Sequence, residues 1–245
     1  MNPTHFERNR QTRPHWDDFH SHRVHVTQLL VDAGIKPAAN DDDGKLQLCI
    51  LGAGNCNDLD LNRLGTTYEQ ISLVDIDRDA MEFGVARQNR AGLVDIVCCD
   101  VMRDDLPDVQ YDVVASTCLL TQLLVDIDPS SAQTEDYAIV RRQHFLTMLQ
   151  LMKPAAAGVF VTDIVSSDTV PNLAEHNRDQ LAQQLPHWIQ ARNFFTGTNP
   201  AVIHHLLTAD TEIASQLDRV EPIAPWLWNP GPRTYACYGM QFTRG

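Results

Sequence analysis

The sequence has little positive charge and no long apolar run. Its 245 residues include 19 Lys and Arg against 32 Asp and Glu, which gives a formal net charge of −13 at pH 7. Because affinity for nucleic acid rests largely on Lys and Arg side chains that neutralise phosphates, this balance disfavours an RNA or DNA substrate. No run of 18 apolar residues is present, so we expect no transmembrane helix. The first residues lack the apolar segment of a secretory signal, and we therefore expect a cytoplasmic protein.

Paired cysteines and regularly spaced metal ligands are also missing. The six cysteines include no Cys-x-x-Cys pair, and we interpret them as small buried hydrophobic side chains. Near the N-terminus, His15 and His20 are five residues apart and His22 and His25 are three apart, so they do not share one face of a helix. We favour a helix that packs over the ligand pocket, rather than a metal site, for this segment.

The sequence does contain a strand, glycine turn and strand pattern over residues 46–77. An apolar run ends in Gly52-Ala53-Gly54, a helix-like segment follows, and a second apolar run ends in Asp75. Glycines let the backbone turn sharply and approach a ligand closely, and the N–H groups that open a helix can bind polar groups. An acid at the end of the second strand can bind both hydroxyls of a ribose. The pattern therefore predicts a site for a nucleoside-containing cofactor.

The glycine spacing separates two classes of cofactor. A dinucleotide site requires Gly-x-Gly-x-x-Gly followed by an acid about 20 residues later, and Asn57 stands here in place of the third glycine. The motif GAGNCND, with VDID at the end of the second strand, instead resembles the class I S-adenosylmethionine-dependent methyltransferases. An NAD-dependent oxidoreductase is the alternative, because it shares the strand, the turn and the acid.

The elements that follow are similar to this family over about residues 45–166. The turn Leu-Met-Lys-Pro-x-x-x-Gly resembles the family's turn before strand five, and Lys153-Pro154 is expected to end the preceding helix. Periodicity predicts helices at 12–33, 136–152, 173–188 and 200–207, and later strands at 94–100, 111–117, 159–165, 214–223 and 235–243. The resemblance implies an α/β fold: a Rossmann-like, seven-stranded, mostly parallel sheet with an antiparallel last strand, an N-terminal helix and a helical insertion after strand five.

We expect a single methyltransferase domain over residues 1–245. Its parts would be an N-terminal helical cap (1–44), a cofactor-binding core (45–166), a helical insertion (167–212) and a terminal hairpin (213–245). In the link before the last strand, Trp226 and Trp228 either mark a homodimer contact, because aromatic side chains are enriched at interfaces, or fold back on the sheet.

The resemblance also implies the cofactor, S-adenosyl-L-methionine, and the residues that bind it. These residues occupy the glycine turn and the ends of strands two, three and four: Gly52, Ala53, Gly54, Asn55, Asp75, Ile76, Asp100, Val101, Ser116 and Thr117. Acids after strands four and five hold magnesium in the catechol-type methyltransferases. The strand-four end offers Ser116 and Thr117 instead, so we predict no metal.

The implied activity is in-line methyl transfer to a small organic molecule. The Asn/Asp-Pro-Pro-aromatic motif of amino-methylating nucleic-acid enzymes is absent after strand four, and so is the Pro-Cys pair of cytosine-5 methylation. Gln122, Tyr137 and Trp188 are our candidates for substrate contact. No general base stands out, although Asp163 near the end of strand five could lie by the active site. A non-catalytic protein that binds S-adenosylmethionine or S-adenosylhomocysteine is therefore a further alternative.

Overall fold

The computed structural model describes residues 4–35, 46–104, 106, 108–125, 127 and 133–245, so residues 1–3 and 36–44 of the predicted cap lie outside the described residues. The strands are β1 (Gln47–Leu51), β2 (Gln70–Asp75), β3 (Asp95–Cys98), β4 (Tyr111–Thr117), β5 (Met152–Ser166), β6 (Leu217–Trp228) and β7 (Tyr235–Arg244). The helices are α1 (Thr4–Thr12), α2 (His20–Ala33), α3 (Leu61–Leu64), α4 (Arg78–Arg87), α5 (Leu119–Val125), α6 (Thr134–Gln150), α7 (Arg178–Gln190), α8 (Pro200–Ala209) and α9 (Thr211–Ala214).

The seven strands form one mixed sheet in the order β3-β2-β1-β4-β5-β7-β6. The pairs from β3 to β5 are parallel, whereas β7 runs antiparallel to both β5 and β6. This arrangement confirms the predicted Rossmann-like sheet with an antiparallel last strand. The strand order reverses between β1 and β4, and a crevice for ligands forms at such a point in an open α/β sheet.

Each face of the sheet carries its own apolar core. On one face, Phe145 of α6 packs on Phe160 of β5 with the ring centroids 5.0 Å apart. On the other face, Val26 and Leu30 of α2 are fully buried in a second core. Burial of each such side chain stabilises the fold by roughly 1.5–3 kcal/mol. In the described residues, no helix combines the length and the apolar character needed to cross a membrane.

The boundary between α6 and β5 differs from the prediction. The helix ends at Gln150 and the strand begins at Met152, so Lys153-Pro154 lies inside β5 instead of ending the helix. The register against β4 shifts between Tyr111 and Val113, and Ala155 has φ +60°. Proline is tolerated at such a bulge because its missing N–H falls outside the ladder of hydrogen bonds.

The predicted start of β6 was wrong as well. Residues 211–214 form α9, since Asp210 caps the helix by accepting hydrogen bonds from the N–H groups of Glu212 (3.0 Å) and Ile213 (3.1 Å). The strand starts at Leu217 and continues to Trp228 through two prolines. It lies at the edge of the sheet, where proline costs no ladder hydrogen bond.

The two tryptophans of β6 pack back on α2. The indole N–H of Trp226 donates to His22 Nδ1 at 3.0 Å, and the ring of Trp228 stacks on His22 with a centroid distance of 4.8 Å. Trp226 is therefore buried. These contacts fill the space between the edge strand and the second helix.

Candidate functional site

A cleft of about 320 Å³ opens at the carboxyl ends of β1, β2 and β3. Its walls combine acidic side chains with apolar ones from the strand ends and from α5, and α1 covers it. The lining residues are His5, Asn9, Gly52, Val74, Asp75, Ile76, Cys99, Asp100, Val101, Arg103, Leu119, Gln122 and Leu123. The structure thus brings five of the predicted cofactor residues together: Gly52, Asp75, Ile76, Asp100 and Val101.

The glycine turn and Asp75 are joined by a hydrogen bond. Gly52 and Gly54 adopt φ values of +77° and +45°, which favour glycine. The Gly54 N–H donates to Asp75 Oδ2 and the Asp77 N–H donates to Asp75 Oδ1, both at 2.9 Å. Burial raises the pKa of Asp75, and these two hydrogen bonds act in the opposite direction. The carboxylate is therefore held in a fixed position on the cleft wall, with further lone pairs available to a ligand.

The helix expected directly after the glycine turn is absent, which corrects the sequence interpretation. The four-residue α3 starts only at Leu61, and Cys56 in the intervening segment has φ +54°. A residue in the left-handed region interrupts a right-handed helix. A turn consequently forms this part of the cleft wall, and the N–H groups nearest the cleft do not belong to the first turn of a helix.

Gly84 of α4 provides the close approach that a third glycine would have given. A Cβ atom at Gly84 would lie 2.2 Å from the carbonyl oxygen of Asn55 and 2.9 Å from Cys56 Cβ. The helix can therefore pack directly on the backbone of the segment after the glycine turn. Sequence reasoning missed Gly84, because a glycine inside a helical pattern carries no sign of what it faces.

The carboxylate of Asp100 is engaged with its own loop. Its Oδ1 accepts from the Met102 N–H at 3.0 Å, and its Oδ2 lies 3.7 Å from Arg103 Nε. The adjoining Val101 is buried, and with Ile76 it makes this end of the cleft apolar. An apolar slot beside a polar strand end suits a flat heterocycle with polar edges.

The other predicted cofactor residues have different surroundings. Ser116 is fully buried and its Oγ lies 2.9 Å from His144 Nε2, on the α6 side of the sheet. Thr117 is also buried, and its hydroxyl has no hydrogen-bond partner among the described residues. Ala53 belongs to the apolar core on the α2 side, and Asn55 is bonded to α1.

The three candidates for substrate contact are separated in space. Gln122 lies on the cleft wall, where its Oε1 is 3.3 Å from His5 Nδ1. Tyr137 packs against the core on the α6 side. The ring of Trp188 meets His176 edge to face at a centroid distance of 5.7 Å, within the helical insertion.

Helix α1 covers the cleft, a role that we expected of a helix over residues 12–33. Asn9 Nδ2 donates to Asp77 Oδ2 at 3.0 Å, and Asn55 Nδ2 donates back to the Asn9 carbonyl and to Thr12 Oγ1. Asn57 Nδ2 donates to the Thr12 carbonyl at 2.8 Å. The sequence THFERNRQT has no apolar stripe, so periodicity gave no signal for this helix.

A stack of arginine and aromatic side chains links the turn that follows α1 with helix α4. The guanidinium of Arg23 lies 3.6 Å from the Trp16 ring centroid, and that of Arg87 lies 5.2 Å from it. Arg87 is also 4.5 Å from the ring of Phe83, which Arg13 approaches at 4.7 Å. Each such contact is worth about 0.5–1 kcal/mol at exposed sites and more where it is desolvated.

We expect the Asn55→Ala variant to loosen α1 over the cleft. The change removes two hydrogen bonds to the helix, worth about 1 kcal/mol each, so amide exchange of residues 4–12 should become about tenfold faster or more. Hydrogen exchange followed by mass spectrometry measures this. Asn62→Ala is the control, because Asn62 bonds to the Gln88 carbonyl instead of α1. Equal exchange in both variants would show that Asn55 does not hold the helix.

Two acids, one buried and one partly buried, lie on the α2 side of the strand ends. Asp163 of β5 is 7% exposed and accepts a 2.6 Å hydrogen bond from Thr121 Oγ1. Asp58, in the segment after the glycine turn, lies 3.8 Å from His22 Nε2. Burial raises the pKa of Asp163 to about 6 and that of Asp58 to about 7. Within the described ranges, no group of three or more His, Cys, Asp and Glu side chains is placed to hold a metal ion.

Solved structures share this architecture. The N-methyltransferase NodS from Bradyrhizobium japonicum WM9 superposes with a TM-score of 0.51 at 10% identity, over 90% of this chain and 94% of that chain. NodS in complex with S-adenosyl-L-homocysteine gives a TM-score of 0.50 at 12% identity, over 89% and 97%. The YcgJ protein from Bacillus subtilis gives 0.54 at 12% identity, over 89% and 97%.

This chain has the class I methyltransferase fold. Comparison of the sequence with protein-family models and with curated proteins gives no match, so the assignment rests on the sheet topology and on these superpositions.

Proposed function

We propose that this protein is an S-adenosylmethionine-dependent methyltransferase that binds its cofactor in the α1-covered cleft and methylates a small organic molecule. The observation that carries the proposal is the position of Asp75. Its carboxylate is fixed by the N–H groups of Gly54 and Asp77 at the end of β2, beside the point where the strand order reverses. Each oxygen accepts one backbone hydrogen bond and has room for a ribose hydroxyl.

The rest of the cleft fits the same cofactor. A Cβ at Gly52 would lie 2.7 Å from Leu119 Cβ, so the turn has no room for a side chain where we place the methionine end. Ile76, Val101 and Leu123 give an apolar slot for the adenine, with Asp100 at its edge. We place Ala53 and Asn55 in the support of this turn, and Ser116 and Thr117 at the end of β4 beneath the site of methyl transfer.

Little further chemistry is required of the protein. Bound S-adenosylmethionine supplies a methyl group already activated by its sulfonium. The chain has to orient the acceptor, exclude water and remove a proton where the acceptor atom carries one. Positioning alone can supply roughly 7–11 kcal/mol of a barrier in favourable cases. Helix α1 is suited to exclude water, because His5 and Asn9 close over the cleft.

A small acceptor fits the charge better than a nucleic acid does. The formal net charge is −13, and Asp58 and Asp163 add negative charge at the edge where we place the entry of the acceptor. The segment after β4 contributes Thr121 and Gln122, which are uncharged polar side chains suited to a small ligand.

Isothermal titration calorimetry with S-adenosylmethionine, S-adenosylhomocysteine and NAD tests the proposal. We expect micromolar binding of the first two and a loss of about 100-fold or more in Asp75→Asn, because the amide carries no charge and its NH2 group cannot accept a hydrogen bond. Asp79→Asn is the matched control, since Asp79 is exposed on α4. Binding of NAD alone would overturn the proposal. Binding of the adenosyl compounds without turnover over a broad acceptor panel would favour the non-catalytic alternative.

A further inference from the structure

A second and larger cavity lies between helices α2, α3 and α4 and the turn that follows α1. Its volume is about 930 Å³, and it shares no lining residue with the cofactor cleft. Four arginines line it, Arg13, Arg23, Arg63 and Arg87, and Asp60 is the one acidic residue among its described lining residues. Cavities of roughly 300–1,000 Å³ are the size that small ligands occupy. In a chain with a net charge of −13, this concentration of positive charge indicates a binding site for anions.

The four arginines are not neutralised by the protein at close range. Among the described residues, no carboxylate oxygen lies within 4.0 Å of any of these guanidinium groups. Five arginines elsewhere in the structure do form such pairs, as Arg142 does with Asp210 at 2.9 Å. The acidic side chains of this chain are therefore placed away from the cavity, and its positive charge is available to a ligand.

Two of the guanidinium groups are held in place by neutral acceptors. Arg23 is 6% exposed and donates to the carbonyls of Trp16 (2.9 Å) and Asn57 (3.0 Å). Arg87 donates to Asn57 Oδ1 at 2.9 Å and to the Arg13 carbonyl. Both groups also lie over the Trp16 ring. Because a guanidinium has five N–H donors, these contacts fix its position and leave donors for a further acceptor.

The other two guanidinium groups have still fewer partners. Arg13 packs on the Phe83 ring, and its buried Nε has no hydrogen-bond partner among the described residues. Its side chain forms no hydrogen bond at all within that part of the chain. Arg63 donates to Gln28 Oε1, which is a neutral amide oxygen. The donors of Arg13 and Arg63 are thus free to bind anionic oxygens.

The arginines also repel one another. Burial lowers the pKa of Arg23, and the nearby Arg87 acts in the same direction. Burial likewise lowers the pKa of Arg87, with Arg13 adding to the effect. Three carboxylates oppose this for Arg23 from beyond ion-pair distance: Asp17, Asp58 and Asp60. An anion bound among the guanidinium groups would relieve the repulsion between them.

We propose that this cavity binds a small polyanion that carries phosphate or carboxylate groups, at a site separate from the cofactor cleft. Planar guanidinium groups bind both kinds of group with two parallel hydrogen bonds. The arginines come from four different segments, so a ligand with two or more anionic groups satisfies more of them than a single anion does. The inference does not depend on the proposed methyltransferase function.

The site is bonded to the helix that covers the cofactor cleft. Arg13 directly follows α1, and its carbonyl accepts a hydrogen bond from Arg87. Asn57, the other partner of Arg87, donates to the carbonyl of Thr12, the last residue of α1, at 2.8 Å. A bound anion therefore holds the end of α1 in place, and amide exchange at residues 12–16 should become slower.

Calorimetry of the full chain with pyrophosphate and citrate tests the proposal, with glycerol as a neutral comparison. The titrations are made in about 0.15 M NaCl, where long-range attraction between exposed charges is screened, and are repeated with saturating S-adenosylhomocysteine. We expect at least one anion to bind with a Kd of about 1 mM or lower, and no heat with glycerol. The stronger of the two anions identifies phosphate or carboxylate as the preferred group.

Variants distinguish the cavity from general attraction to positive charge. Arg13→Gln and Arg63→Gln should each weaken anion binding by about tenfold or more, because each removes charge-assisted hydrogen bonds. Arg78→Gln is the matched control: it removes the same charge from an exposed position of α4 outside the cavity and should leave binding unchanged. If Arg13→Gln does not fold, the exposed Arg63 alone provides the test.

Four results would overturn the inference. The first is that neither anion binds. The second is that Arg78→Gln weakens binding as much as the two cavity variants do. The third is that saturating S-adenosylhomocysteine abolishes binding, which would place the anion in the cofactor cleft. The fourth is unchanged amide exchange at residues 12–16 when the anion is bound, measured by mass spectrometry.

Discussion

Replacing Gly84 by alanine should destabilise the protein by about 1–3 kcal/mol and abolish binding of S-adenosylhomocysteine. Alanine inside a helix normally gains about 1 kcal/mol over glycine, so the expected sign is opposite to helix propensity. The reason is steric. The new methyl group would lie 2.2 Å from the Asn55 carbonyl oxygen and 2.6 Å from its carbonyl carbon, which are backbone atoms that cannot rotate away. The segment after the glycine turn would have to shift.

Urea unfolding and calorimetry measure the two effects of Gly84→Ala. The control is Ala86→Gly on the exposed side of the same helix, which should cost about 1 kcal/mol through propensity and leave ligand binding intact. An increase in stability in Gly84→Ala would mean that the helix and the glycine-turn segment are not in contact in solution.

The Asp58→Asn/Asp163→Asn double variant should be more stable than the wild type at pH 8 by several kcal/mol. Both carboxylates have a pKa in the folded chain, about 7 and about 6, above the value of 3.8 for a free side chain. Between these values the folded state binds more protons than the unfolded state, so the wild type loses stability as the pH rises. Each ionised carboxylate therefore lowers the free energy of unfolding at pH 8 by about 3–4 kcal/mol.

The difference between the double variant and the wild type should shrink to about 1 kcal/mol at pH 4, where both carboxylates are protonated in the folded state and only partly ionised in the unfolded state. The pH profile of the wild type alone does not report on the pair, because burial lowers the pKa of His22 to about 3 and of His144 to about 4. These histidines make the folded state lose stability as the pH falls below about 6.5, which is opposite in sign to the effect of the two acids.

Denaturant unfolding of both proteins from pH 4 to pH 8 isolates the contribution of the two acids, with Asp218→Asn, exposed on β6, as the control. A constant difference over this range would contradict the assignment.

The sequence was sufficient to predict the sheet and half of the cleft. Strand, turn and acid are local features, so Gly52 and Asp75 could be placed from the end of one apolar run and the end of the next. The antiparallel last strand followed from the family resemblance. Helix α1 could not be predicted, since it is held by side-chain amides such as Asn55 and Asn57 and not by an apolar stripe.

The missed features all depend on contacts between distant parts of the chain. Nothing in the sequence singled out Asp58, and only the packing of His22 and Trp226 shows that its Oδ1 atom is buried. Pro154 was interpreted as a helix end because a proline there usually is one, whereas a bulge in the β4–β5 pairing accommodates it. Gly84 gave no local signal at all.

The position of β7 has a consequence for how this protein is made. The strand, at residues 235–244, is synthesised after both of its neighbours, yet it lies between β5 and β6 and pairs with both. Until it leaves the ribosome, β5 has one unpaired edge and β6 has no partner in the sheet. Open strand edges are sites of misassembly with other chains. We expect nascent chains that end before residue 235 to depend on chaperones, and a ribosome stalled near that point to hold an aggregation-prone intermediate.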